Sequence, residues 1–118
     1  MRTSRLLVAC LLLGMPGAAS AHAFLRAASP PVGSTVKAPS EVSIDFTEAL
    51  EPGFSSIEVR DAQGNRVDKA DLHAAPDDAK HVSVSLRPLS PGGYTVTWRA
   101  LSVDTHRTQG SYGFTVEP

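Results

Sequence analysis

Residues 94–101, Tyr94-Thr95-Val96-Thr97-Trp98-Arg99-Ala100-Leu101, decide the fold class. β-Branched and aromatic residues run through this stretch, and such residues suit a pleated, half-buried surface. It reads as the longest strand of the chain. Pro91-Gly92-Gly93 before it reads as a turn. Upstream, His81-Val82-Ser83-Val84-Ser85-Leu86 alternates polar and apolar residues, as a strand with one buried face does. Glu41-Val42-Ser43-Ile44-Asp45-Phe46 and Ser56-Ile57-Glu58-Val59-Arg60 do the same. Asp61-Ala62-Gln63-Gly64-Asn65 is a turn signal, with Arg66-Val67-Asp68 as the returning strand of a hairpin. The polar stretch from Ala70 to Ala79, with Pro76 and two adjacent aspartates, reads as a loop. Downstream, Gly110–Val116 is the last strand, and Phe24–Ala27 is the first. No segment carries a long 3.6-residue apolar repeat. About seven short strands with turn signals between them predict an all-β, two-sheet Greek-key sandwich.

The first 21 residues stand apart from this scaffold. Arg2 and Arg5 make a positive start, residues 6–15 an apolar run, and Ala19-Ser20-Ala21 a small-residue cleavage site. That is the pattern of a secretory signal peptide. The apolar run is shorter than the roughly 20 residues a membrane span needs. The expected division is therefore a signal peptide over 1–21 and one domain over 22–118. Cys10, Met1 and Met15, the only sulfur residues, all leave with the signal. The exported chain has no disulfide framework and must be stabilised by packing. Loss of Arg2 and Arg5 leaves it slightly acidic, which argues against nucleic acid as a partner. No basic amphipathic segment suggests insertion into a membrane after cleavage.

Cleavage after Ala21 puts His22 at the new amino terminus. Its amine and ring Nδ1 can hold one metal ion together, and the first bond places the second donor nearby at little further entropic cost. The amine titrates near pH 7.7–8.0, so a metal ion displaces its proton easily around neutrality. Asp104-Thr105-His106 lies in the connection between the last two strands. If that stretch is extended, Asp104 and His106 share one face and Thr105 points away. His106 then supplies a third nitrogen, and Asp104 an oxygen, either directly or through water. Three nitrogens in a plane with oxygen donors favour copper(II).

Several blocks, in order and at matching spacing, resemble the CopC family of periplasmic copper-binding proteins over nearly the whole length after the signal. They are His22-Ala23-Phe24-Leu25 with Ala28-Ser29-Pro30-Pro31-Val32-Gly33-Ser34; Asp45–Leu50 with Glu51-Pro52-Gly53-Phe54-Ser55; Leu89 through Trp98-Arg99-Ala100-Leu101-Ser102-Val103-Asp104-Thr105-His106; and Ser111–Val116. The resemblance implies a seven-stranded Greek-key sandwich of cupredoxin-like or immunoglobulin-like form. It implies a copper(II) site made by His22, Asp104 and His106, the same three residues, with one ion per chain and no catalysis. It further implies a monomeric periplasmic carrier or buffer serving copper homeostasis, resistance or uptake. An inner-membrane transporter resembling CopD is the implied recipient.

The chain also departs from that pattern. Some relatives carry a methionine-rich loop for copper(I); the absence of methionine after Met15 predicts none here. Phe24 stands where some relatives have a histidine, and Arg107, read as a solvated cation, where others have proline. His73 and His81, beside Asp77-Asp78, read as exposed loop histidines rather than a second metal site. Glu48 and Glu51 read as strand-end and turn residues, and Trp98, Tyr94 and Tyr112 as packing groups. Two other functions compete with the carrier: a histidine-brace copper monooxygenase, and a metal-free structural sandwich.

Overall fold

The structure, a computed structural model, describes residues 25–118. The expected signal peptide and His22 to Phe24 lie outside the described residues. Eight strands and one short 3-10 turn build the described part. They are β1 (Leu25–Ser29), β2 (Thr35–Val36), β3 (Glu41–Phe46), β4 (Ser56–Asp61), β5 (His73–Ala75), β6 (Asp78–Ser85), β7 (Gly92–Leu101) and β8 (Arg107–Val116), with the turn at Pro52–Phe54. One sheet has the order β1-β3-β6-β5 and the other β2-β8-β7-β4. The all-β, two-sheet sandwich is as expected: seven strands of three residues or more, joined by the two-residue β2, which pairs in parallel with the end of β8.

Alternation along the strands sets the core. In β7, Tyr94, Val96, Trp98 and Ala100 are buried, while Thr95 and Arg99 face solvent. Val42, Ile44 and Phe46 of β3 and Val82 and Val84 of β6 meet them from the other sheet. Trp98 packs edge-on against Phe46, with ring centroids 5.3 Å apart and planes at 73°, a favoured aromatic geometry. Tyr94 stacks on Phe114 at 5.5 Å and donates its hydroxyl hydrogen bond to Ser90 O at 2.6 Å. The three aromatics read as packing groups in the sequence do pack.

Four local expectations are corrected. The 70–79 stretch is not all loop: β5 lies inside it and β6 begins at Asp78. Its polar residues conceal a short edge strand that lies outside the core. Consequently His73 sits on a strand, while His81 lies in the strand expected over 81–86, with its Nδ1 2.6 Å from Asp45 Oδ1 on the neighbouring strand. Gly92 and Gly93 open β7 instead of forming a turn.

The fourth correction concerns Arg66-Val67-Asp68. It pairs only through isolated bridges, Arg60 with Arg66 and Asp68 with Leu86. The reason is the Asp68 side chain, which is turned inward and is 2% exposed. It accepts hydrogen bonds from the backbone N–H of Val59 at 2.8 Å and of Ala70 at 3.0 Å, and from Arg66 Nε at 2.9 Å. Burial pushes its carboxyl pKa up, but those donors outweigh burial and hold it below the ordinary value. A lowered folded pKa means stability that is complete above the unfolded value of about 3.9 and is lost as pH falls through the folded one. Asp68→Ala strips partners from buried donors, each worth roughly 1–3 kcal/mol. Urea unfolding at pH 7 should show a loss of about 2–4 kcal/mol. The gap between variant and parent should narrow below about pH 4.

Candidate metal centre

The connection between β7 and β8 is five residues, because Leu101 pairs with Arg107. So short a reversal cannot stay extended, and Asp104-Thr105-His106, for which an extended form would have put both donors on one face, is a turn. Thr105 N–H donates to Ser102 O at 2.9 Å, and Ser102 N–H to His106 O at 2.9 Å. Thr105 takes φ of 72°, a left-handed conformation that a β-branched residue adopts at a cost of about 1–3 kcal/mol. Its hydroxyl bonds the carbonyl of Asp104, the local role expected for it. Despite the changed backbone, Asp104 and His106 come together: His106 Nδ1 lies 3.3 Å from Asp104 Oδ1. Both remain open to solvent, with 46% and 77% of their side chains exposed.

Ser102, only 1% exposed, organises the turn. Its hydroxyl donates to Asp104 Oδ1 and accepts the backbone N–H of His106 at 3.2 Å. The sequence motif contains this serine, but its spacing alone gave it no role.

Glu48 is the group the sequence reading placed elsewhere. The segment after β3 runs against the turn: Val103 N–H donates to Ala49 O at 3.0 Å, and Glu51 N–H to Leu101 O at 2.9 Å. This brings the Glu48 carboxyl near that of Asp104, whose hydrogen bonding and negative charge raise the Glu48 pKa. Asp104 moves the other way, down to about 2, chiefly through the Ser102 hydroxyl, with Glu48 and His106 adding to it. One carboxylate is thus kept ionised beside an imidazole, a hard oxygen next to a borderline nitrogen, which is a donor pair that suits copper(II). Two residues 56 positions apart in sequence meet because both flank the same end of the sandwich, and no local pattern signals that.

Among the described residues, no group of three histidine, cysteine, aspartate or glutamate side chains closes on one point as a metal site. His22 lies outside the described residues. Leu25 pairs with Phe46, two residues from Glu48, and shares a groove with Trp98 and Gln109. The chain therefore enters β1 at the end of the sandwich that carries Glu48, Asp104 and His106.

Comparison with known proteins identifies the family. The family model for the CopC domain matches residues 25–117. Copper resistance protein C of Xanthomonas campestris pv. juglandis is 37% identical over 105 residues, 84% of this chain and 83% of that protein. Copper transport protein CutJ of Bacillus subtilis (strain 168) is 34% identical over 107 residues, 89% of this chain but 20% of that longer protein. The crystal structure of CopC from Methylosinus trichosporium OB3b superposes with a TM-score of 0.76 at 36% identity, covering 82% of this chain and 95% of that one. Fold, motif spacing and relatives together place the chain in the CopC family of copper resistance and transport proteins.

Proposed function

We propose that this protein is an exported, non-catalytic carrier or buffer that holds one copper(II) ion through the His22 amine and ring, His106 and Asp104. The observation that carries the reading is the convergence of Asp104 and His106 on an exposed turn, at the end where β1 enters. His22 lies three positions before Leu25, and an extended chain covers at most about 3.3–3.6 Å per residue. A chain of that length leads away from β1 at the end of the sandwich that carries this turn. A site that needs both nitrogens of an amino-terminal histidine leaves only a partial set on the folded domain, and a partial set is what Asp104 and His106 make.

The donors favour the oxidised ion. Imidazole, amine and carboxylate are not the soft thioether and thiolate ligands that select copper(I), and the chain after Cys10 and Met15 contains neither methionine nor cysteine. An ionised Asp104 beside the metal adds negative charge that stabilises the divalent state. The periplasm is the compartment the signal pattern implies, and a membrane importer resembling CopD is the recipient we assign. The fusion of a similar domain into the longer copper transport protein CutJ supports a working link between such a domain and transport.

The test is a competition titration against a copper(II) chelator, on protein shown by mass spectrometry to begin at His22. One equivalent should bind, and Asp104→Asn should weaken binding about tenfold or more. Equal affinity in parent and variant would remove Asp104 from the site.

A further inference from the structure

Beside the copper turn, on the side of the β2-β8-β7-β4 sheet that looks away from the core, lies an open cavity of about 370 Å³. Phe54, Arg99, Ala100, Arg107, Thr108 and Gln109 line it. The register puts Arg99 opposite Gln109 and Arg107 opposite Leu101, so the two arginines are diagonal neighbours on adjacent strands. Diagonal pairs in an antiparallel sheet lie roughly 7–8 Å apart, within reach of each other's long side chains. Among the described residues, neither guanidinium makes an ion pair. No acidic side chain lines the cavity. Glu58, opposite Thr97 on the neighbouring strand, already has its carboxylate held by Arg60 Nη2 at 2.9 Å.

Two uncompensated like charges side by side are unfavourable unless an anion joins them. A carboxylate fits the planar fork of arginine with two parallel hydrogen bonds. Gln109 offers a further N–H to the same space. Phe54 is 71% exposed and borders the cavity as an apolar wall, which an inorganic oxyanion cannot use. The volume lies within the usual range for small-molecule pockets, about 300–1,000 Å³.

We propose that this cavity binds a small organic carboxylate with an apolar or aromatic body, held by Arg99 and Arg107 and packed against Phe54. The site uses none of the proposed copper ligands, so its test is run on metal-free protein and is independent of the copper reading. The probe is isophthalate, titrated at constant ionic strength and followed by NMR of the arginine and glutamine side-chain N–H groups.

Saturable binding with Kd of about 1 mM is expected, a modest affinity for so open a pocket. Arg99→Gln and Arg107→Gln should each weaken it about tenfold, and Phe54→Ser several-fold. All three side chains are exposed, so the variants should fold as the parent does. Inorganic sulfate should bind about tenfold more weakly than isophthalate. Shifts that stay linear with concentration, variants that bind like the parent, or sulfate that competes on equal terms would each overturn the proposal.

Discussion

One residue added ahead of His22 will lower copper(II) affinity by about two orders of magnitude or more while leaving the melting temperature of the metal-free protein unchanged. The addition turns the α-amine of His22 into a peptide nitrogen, which has no free lone pair to offer. The ring remains, but the chelate between ring and amine is opened, and each surviving donor must be placed independently. Disturbing even an outer partner of a metal ligand typically costs 10–100-fold in affinity, so loss of a direct nitrogen should reach the top of that range or exceed it. His22→Ala removes the ring and keeps the amine, and should weaken binding to a similar degree. The two changes should be strongly non-additive, because either alone breaks the same chelate. The fold should not respond: Leu25 is the first residue of β1, and the core begins beyond it.

Trp98→Ala will have the largest effect on stability. Trp98 is 5% exposed, joins the two sheets through Phe46, and covers Gly110 of the neighbouring strand. Truncating a buried tryptophan costs about 3–5 kcal/mol. In a domain of this size that corresponds to a fall in melting temperature of roughly 12 °C or more. Gly110 provides the cross-check. A Cβ built there would lie 2.7 Å from Trp98 Cζ2, so Gly110→Ala should itself cost about 1–3 kcal/mol by overpacking. In a Trp98→Phe background the smaller ring should make room, and Gly110→Ala should become clearly less costly. Chemical denaturation of the four proteins measures that coupling. Additive costs would mean that the indole does not press on Gly110.

The scaffold was legible because its signals are local. Glu41–Phe46 alternates cleanly and forms β3 with those bounds. The run at 94–101 is β7, extended by two glycines that carry no strand signal of their own. His73-Ala74-Ala75 has no β-branched residue and only small alanines to pack, so its strand signal is weak until β6 offers an edge to pair with. Asp68 alternates like a strand residue, yet it serves as a buried cap for backbone N–H groups, which no pattern of polarity distinguishes from a solvent-facing aspartate.

The metal centre divides the same way. Asp104 and His106 lie two residues apart, so their motif could be read directly. Their convergence rests on a turn with Thr105 left-handed, not on the extended form that would also have put both on one face. Glu48 was out of reach of sequence reasoning because it joins Asp104 only after the crossover from β3 to β4 folds the intervening segment against the β7–β8 turn. Ser102 illustrates a further limit: the residue was visible, but its part in holding both the Asp104 carboxylate and the His106 backbone depends on burial.

In the proposed centre, the amino-terminal nitrogen of His22 and the imidazoles of His22 and His106 surround one copper(II) ion. Electron paramagnetic resonance of the protein loaded with one equivalent of copper(II), compared between the form that begins at His22 and the form with one extra residue before it, tests this most directly. A single axial species with hyperfine structure from about three nitrogens is expected in the first form, and loss or replacement of that species in the second. Identical spectra from the two forms would contradict the proposed centre.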